Sequence, residues 1–125
     1  MTIPKFRAWL KDEYRMTDVR EITFFDDEVQ MISDVTDFYT YGEFELMQST
    51  GLIDKNGKEI FEGDVLKTYD GELAKVVWNK ELACWEAEFL GEIVDLSEVA
   101  DVKSSRSDCE IVGNIYENPE LVEEE

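Results

Sequence analysis

Leu46-Met47-Gln48-Ser49-Thr50-Gly51-Leu52-Ile53-Asp54-Lys55-Asn56-Gly57-Lys58-Glu59-Ile60-Phe61-Glu62-Gly63-Asp64-Val65 is the stretch on which the fold turns. Its first residues continue a strand that begins at Phe44. Asp54-Lys55-Asn56-Gly57-Lys58 is a turn, because Asn56-Gly57 tolerates the positive φ of a tight reversal. Glu62-Gly63-Asp64 is a second turn, and Val65 to Tyr69 leaves it as a strand before Asp70-Gly71 turns the chain again. Further on, Ala74 to Trp78 and Cys84 to Leu90 predict a hairpin across Asn79-Lys80-Glu81. In its second strand Trp85, Ala87 and Phe89 share one face, and Glu86 and Glu88 the other. Glu110 to Tyr116 is the last strand, and Gly113 within it marks a bulge or a close backbone approach. Asn118-Pro119 opens a final short turn or helix, with proline at its first position.

Towards the N-terminus, Lys5 to Leu10 alternates charged and apolar residues at its start, as a half-buried strand does. Met16 to Phe25 and Val29 to Ile32 predict a hairpin with Asp26-Asp27-Glu28 in water at its tip. Ser33 or Asp34 is placed to cap a short helix through Phe38, limited by Gly42. Ser97 is placed to cap another helical turn around Glu98-Val99-Ala100. The expectation is a mainly β chain with one or two short helices. Five or six short strands over 44–125, opened by the Gly-Asp-Val-Leu turn-into-strand at Gly63, predict an SH3-type small barrel. Residues 1–43 form a β-rich extension expected to pack on the barrel, since so short a segment buries little by itself. Glu123-Glu124-Glu125 is expected to be a solvated tail.

Charge is the strongest compositional fact. With 31 acidic and 12 basic residues, the 125-residue chain carries a formal charge of −19. Duplex nucleic acid and anionic lipid repel such a protein, so direct nucleic-acid binding and membrane association are not expected. The acids are not spread evenly. Between Arg20 and Lys55 stand Glu21, Asp26, Asp27, Glu28, Asp34, Asp37, Glu43, Glu45 and Asp54 with no Lys or Arg among them. Between Lys80 and Lys103 stand Glu81, Glu86, Glu88, Glu92, Asp95, Glu98 and Asp101, again with none. Lys5, Arg7, Lys11, Arg15 and Arg20 form a basic island that would meet an acidic face of another copy. Cys84 and Cys109 lack metal or redox spacing and fit buried thiols in a reducing cytoplasm. No apolar run approaches the ~18 residues of a membrane span, and Met1 to Lys5 lacks the apolar stretch of a signal peptide.

The chemistry is constrained by what is missing. Without histidine, Ser-His and Cys-His nucleophilic sites and His-based metal sites fall away. No phosphate-cradling Gly-rich motif is present. Asp54-Lys55-Asn56-Gly57 opens like a calcium loop, but Glu59 occupies the sixth position, where that loop needs glycine. Carboxylate pairs remain, and Asp26-Asp27-Glu28 is the most focused of them, although a solvated hairpin tip explains it as well. No cofactor is expected.

Three segments resemble the YopX family of phage and prophage proteins: Lys5-Phe6-Arg7-Ala8-Trp9, the opening block from Leu46 to Val65, and Ile111-Val112-Gly113-Asn114-Ile115-Tyr116-Glu117-Asn118-Pro119-Glu120-Leu121. They stand in the family's order and span nearly the whole chain. The resemblance implies an SH3-type barrel, a phage or prophage origin and self-association, and it implies no reaction. The expectation is therefore a non-enzymatic, oligomeric, protein-binding accessory protein in the host cytoplasm. Its partners would be copies of itself or a basic host or phage protein. Two alternatives stand beside it: an acidic inhibitor that imitates nucleic acid, and a carboxylate-based metal-dependent enzyme. Candidate contact residues are Trp9, Tyr14, Tyr39, Tyr41 and Tyr69, with Trp78 and Trp85 as further aromatics. Gly51, Asn56, Gly57, Gly63, Asp64, Gly113, Asn118 and Pro119 are expected to shape turns.

Overall fold

The computed structural model describes residues 5–122. The expected tail Glu123 to Glu125 lies outside them, as do Met1 to Pro4 of the segment Met1 to Lys5 expected to lack a signal peptide. The chain is mainly β. Among the described residues the fourteen strands are β1 (Phe6–Leu10), β2 (Arg15–Asp18), β3 (Glu21–Phe25), β4 (Glu28–Ser33), β5 (Phe38–Thr40), β6 (Phe44–Ile53), β7 (Glu59–Phe61), β8 (Asp64–Lys67), β9 (Leu73–Asn79), β10 (Cys84–Phe89), β11 (Glu92–Asp95), β12 (Ala100–Asp101), β13 (Arg106–Ser107) and β14 (Glu110–Asn114). Two 3₁₀ turns, Leu96–Glu98 and Pro119–Leu121, are the only helical segments among the described residues. The chain divides into two compact units, Met1–Gln48 and Ser49–Glu125.

In the first unit β1 pairs antiparallel with β2 and with the leading half of β6. β3, β4 and β5 make a separate three-stranded sheet. The single strand expected from Met16 to Phe25 is broken because the chain changes partner: the Val19 N–H bonds the Phe6 carbonyl, and the Arg20 N–H the Ser33 carbonyl. The β3–β4 hairpin is present. Asp26 and Asp27, both at positive φ (50° and 67°), turn it between Phe25 and Glu28. The helix expected from Asp34 to Phe38 is absent. Asp34 Oδ1 does accept the Thr36 and Asp37 N–H groups, at 2.9 and 2.8 Å, as a helix cap would. The Asp34 N–H, however, closes the loop on the Asp37 carbonyl, and Phe38 to Thr40 then pair with β4. Ala8, Leu10, Ile32 and Tyr39 form the buried cluster of this unit, joined by Ile22, Val29 and Phe44.

In the second unit one five-stranded sheet runs in the order β11-β10-β9-β8-β14, and the trailing half of β6 pairs with β7 and β13. The sheets are open among the described residues, so the expected closed barrel is not what the strands form. At one end β14 is bent by an irregularity between Ile111 and Gly113 and then turns away into the Asn118-Pro119 segment. At the other end β11, which the alternation pattern does not announce, follows β10 after the two-residue link Leu90-Gly91. The core here is Leu52, Ile60, Leu66, Ala74, Val76, Ala87, Leu96 and Cys109.

Two buried carboxylates hold the central block. Asp54 is fully buried; its Oδ1 accepts the Asn56 and Lys58 N–H groups at 2.9 Å each, and its Oδ2 accepts the Ile111 N–H at 3.0 Å. Asp64 is buried and accepts the Phe61 N–H at 2.8 Å, closing the turn around Gly63. Gly57 takes the positive φ of 83° that the Asn-Gly signal anticipates. Gly51 lies within β6, its N–H bonded to Ser49 Oγ, where the β6–β7 register shifts. The Gly63 N–H bonds the Val76 carbonyl, and its own carbonyl accepts the Ile115 N–H. Gly113 is a case of close approach: a Cβ there would stand inside contact distance of the Asn118 carboxamide, which accepts the Asn114 N–H. Pro119 is the first residue of its 3₁₀ turn. For the other 3₁₀ turn, the cap is Asp95, whose carboxylate accepts the Ser97 N–H; Ser97 itself lies inside the turn.

Candidate protein-contact surface

The aromatic residues divide into anchors and exposed groups. Trp9, in β1, is 6% exposed. Tyr14 ends the β1–β2 turn at a positive φ of 53°, its N–H bonded to the Leu10 carbonyl, and its ring packs edge-on against Trp9 at 4.9 Å between centroids. Tyr39 is buried in β5. In the second unit Trp78 and Trp85 face each other across the β9–β10 hairpin in the same edge-on manner, at 5.0 Å. Tyr69, by contrast, is 96% exposed on the β8–β9 loop, and Tyr41 is exposed beyond β5. Of the five candidate contacts Trp9 and Tyr39 are interior, Tyr14 covers Trp9, and Tyr41 and Tyr69 are exposed, one in each unit.

A polar network surrounds Tyr39. Arg15 Nε donates to Glu13 Oε1 at 2.9 Å and Nη2 to the Tyr39 hydroxyl oxygen at 3.2 Å, with Asp34 Oδ2 at 3.7 Å. Thr17 Oγ1 donates to the same Asp34 oxygen at 2.9 Å. Hydrogen bonding to Glu13, with desolvation, pushes the Tyr39 phenol up to about 12. The Tyr39 and Arg15 hydrogen bonds hold Glu13 below its ordinary range. Asp34 lies well below its own, chiefly through the Asp37 and Thr36 N–H groups. Charges in this network are satisfied internally, so it fastens β2 to the β4–β5 loop and β5. Both thiols are shifted up by desolvation, Cys84 further by Glu86 and Asp95, which favours the neutral S–H form at neutral pH. Among the described residues no three His, Cys, Asp or Glu side chains gather closely enough to hold a metal ion.

The three-stranded sheet carries a surface that the aromatic count does not single out. Phe24, Phe25, Val35, Phe38 and Tyr41 are all exposed there. Phe24 pairs with Val29 and Phe25 with Glu28, next to the Asp26-Asp27 turn. The Tyr41 N–H reaches the Gln30 carbonyl, one residue from Val29, which places Tyr41 at the same end of the sheet. Phe24, Phe25 and Tyr41 are therefore exposed at the same end of the sheet as Asp26, Asp27 and Glu28, with Phe24 and Phe25, consecutive in β3, on opposite faces. A signal for it is visible in the sequence: two consecutive phenylalanines in a period-two strand cannot both face the core.

The chain matches the family model described as YopX protein over residues 5–123. It belongs to the YopX family. Among solved structures this family member is similar to the crystal structure of protein EF1440 from Enterococcus faecalis, at 31% identity and a TM-score of 0.73, over 98% of this chain and 100% of that one. No curated protein matches it.

Proposed function

We propose that the chain is a non-enzymatic accessory protein of phage or prophage origin that acts in the host cytoplasm by binding a basic protein surface. The observation that carries this reading is the acidic aromatic tip of the three-stranded sheet. It exposes Phe24, Phe25 and Tyr41 beside Asp26, Asp27 and Glu28, in a stretch without Lys or Arg from Glu21 to Asp54. Burying a phenylalanine side chain gains about 1.5–3 kcal/mol, and an arginine over an aromatic face adds about 0.5–2 kcal/mol. A partner offering apolar and guanidinium groups together satisfies both features. The basic island contributes less to such a contact, because Lys11 is held by Glu45 at 3.1 Å and Arg15 by Glu13 at 2.9 Å. For residues 44–125 the succession of β8, β9, β10 and β11 after the Gly63 turn supports an SH3-type arrangement, with its sheet open.

Affinity capture from bacterial extract tests this, with wild-type bait beside Phe24→Ser, Phe25→Ser, Tyr41→Ser bait of unchanged circular dichroism. A basic partner held by the first and lost from the second, and released by salt, is the expected result. A partner retained by the substituted bait refutes the surface. Bait recovered alone, with light scattering that rises with concentration, moves the tip to contacts between copies. A captured nucleic-acid-binding enzyme displaced by duplex DNA replaces this reading with that of an acidic mimic.

A further inference from the structure

β11 is an open edge: among the described residues it pairs with β10 and with no other strand. The two-residue link Leu90-Gly91 makes Phe89 and Glu92 the pair that closes the turn. Inter-strand bonding alternates from such a pair, so Glu92 and Val94 bond inward to β10, while Ile93 and Asp95 turn their N–H and C=O groups outward.

Each face of this edge borders a groove. One, of about 900 Å³, is lined by Leu73, Phe89, Leu90, Ile93, Leu121 and Val122, with Glu72, Glu88 and Glu92 at its margin. The lysine in it, Lys75, is paired with Glu88 at 3.5 Å. The other, of about 830 Å³, is lined by Asp70, Glu72, Glu92, Glu98, Asp101 and Asp108 against a single basic residue, Arg106. Ile93 lines the first groove and Val94 the second, while Glu72, Phe89 and Glu92 border both.

We propose that β11 accepts an extended basic segment of a partner protein as an added strand. Strand addition supplies affinity through the outward backbone groups of Ile93 and Asp95, and the alternate side chains supply selectivity. Lysine or arginine at one set of alternate positions enters the acidic groove; apolar residues at the other set enter the groove of Leu90, Ile93 and Leu121. Charge complementarity selects this occupant over a second copy, whose own Glu92 and Asp95 would be set against the same acids. The proposal rests on the reading of the chain as a protein-binding module, but on a different surface from the aromatic tip.

The probe is the heptapeptide Lys-Val-Lys-Val-Lys-Val-Lys, titrated into the ¹⁵N-labelled full chain. The expected result is saturable binding, with shifts and slowed hydrogen exchange at the Ile93 and Asp95 amides. N-methylation of alternate peptide bonds should weaken binding at least about tenfold, since each lost backbone bond is worth ~1 kcal/mol. Ile93→Pro should do the same, as proline is tolerated where an edge N–H faces solvent. Glu92→Lys with Glu98→Lys should weaken the lysine peptide and leave backbone exchange elsewhere unchanged. The Phe24→Ser, Phe25→Ser, Tyr41→Ser protein should bind the peptide normally, so failure of the tip and failure of the edge are separable. Equal binding of the N-methylated peptide, equal binding of Lys-Lys-Lys-Lys-Val-Val-Val, shifts scattered over the acidic surface, or no saturable binding would each overturn the proposal.

Discussion

Asp54 shows most directly how one side chain governs this fold. Its carboxylate accepts three backbone N–H groups from two places far apart in the chain, the Asn56–Lys58 loop and Ile111. Desolvation raises its pKa, and the three N–H bonds from Ile111, Lys58 and Asn56 outweigh this and leave it lowered. Asp54→Ala leaves those donors buried without an acceptor and should cost about 2–4 kcal/mol, at one to three per unsatisfied group with partial relaxation. Asp54→Asn keeps an oxygen for Asn56 and Lys58 but sets an amide N–H against the Ile111 N–H, and should cost about 1–2 kcal/mol. A group with a depressed folded pKa stabilises above its unfolded value and loses that contribution as pH falls through the folded one. Urea titrations should therefore show the gap between wild type and Asp54→Asn at pH 7 shrinking below pH ~4. A gap that stays constant down to pH 2 would show that the carboxylate charge is not what binds the loop.

Among the elements, legibility followed turn chemistry closely and side-chain alternation only where one face was buried. Gly57, Gly63 and Asn118-Pro119 marked real reversals because the backbone there needs a special residue or carries a proline. β11 was hidden: four residues with acids at both ends, Glu92 and Asp95, look like a loop until β10 is beside them. The helix expected after Ser33 failed for a related reason. Asp34 caps a tight loop with the same bonds it would give a helix, and only the pairing of Phe38 to Thr40 with β4 separates the two outcomes. The exposed aromatics were obscured because alternation puts Phe24 and Phe25 on opposite faces and so marks one of them as core, whereas both are exposed in the three-stranded sheet. The β3–β4 turn gives the prediction at this scale. Asp26 and Asp27 both occupy positive φ, where Asn-Gly is the favoured pair of a two-residue hairpin. Asp26→Asn with Asp27→Gly should stabilise the chain by about 0.5–1 kcal/mol and remove two neighbouring like charges. Thermal unfolding measures it; a loss of stability would mean that the two carboxylates make contacts which their geometry does not suggest.

For the whole molecule, charge sets two responses to salt that run in opposite directions. A formal −19 on 125 residues is a self-repulsive surface. Ion pairs relieve little of it, since Lys11–Glu45, Arg15–Glu13 and Lys55–Glu110 are substantially exposed and such pairs contribute about 0–1 kcal/mol. Raising ionic strength shortens the Debye length from about 30 Å at 0.01 M to about 8 Å at 0.15 M, which screens repulsion between acids across the surface more than it weakens those close pairs. The melting temperature should rise over that interval and level off beyond it. Association with the proposed basic partner would depend on the same charges being unscreened and should weaken over the same interval. Calorimetry of the free chain and anisotropy of the labelled lysine–valine peptide, run in matched buffers, would separate the two effects. A melting temperature that falls with salt would mean that attractive pairs outweigh the acidic excess in the folded state. Peptide binding indifferent to salt would mean that the acids of the β11 grooves do not face their occupant. Opposite slopes in the two measurements are the signature of a protein that keeps an expensive surface charge for what it binds and not for how it folds.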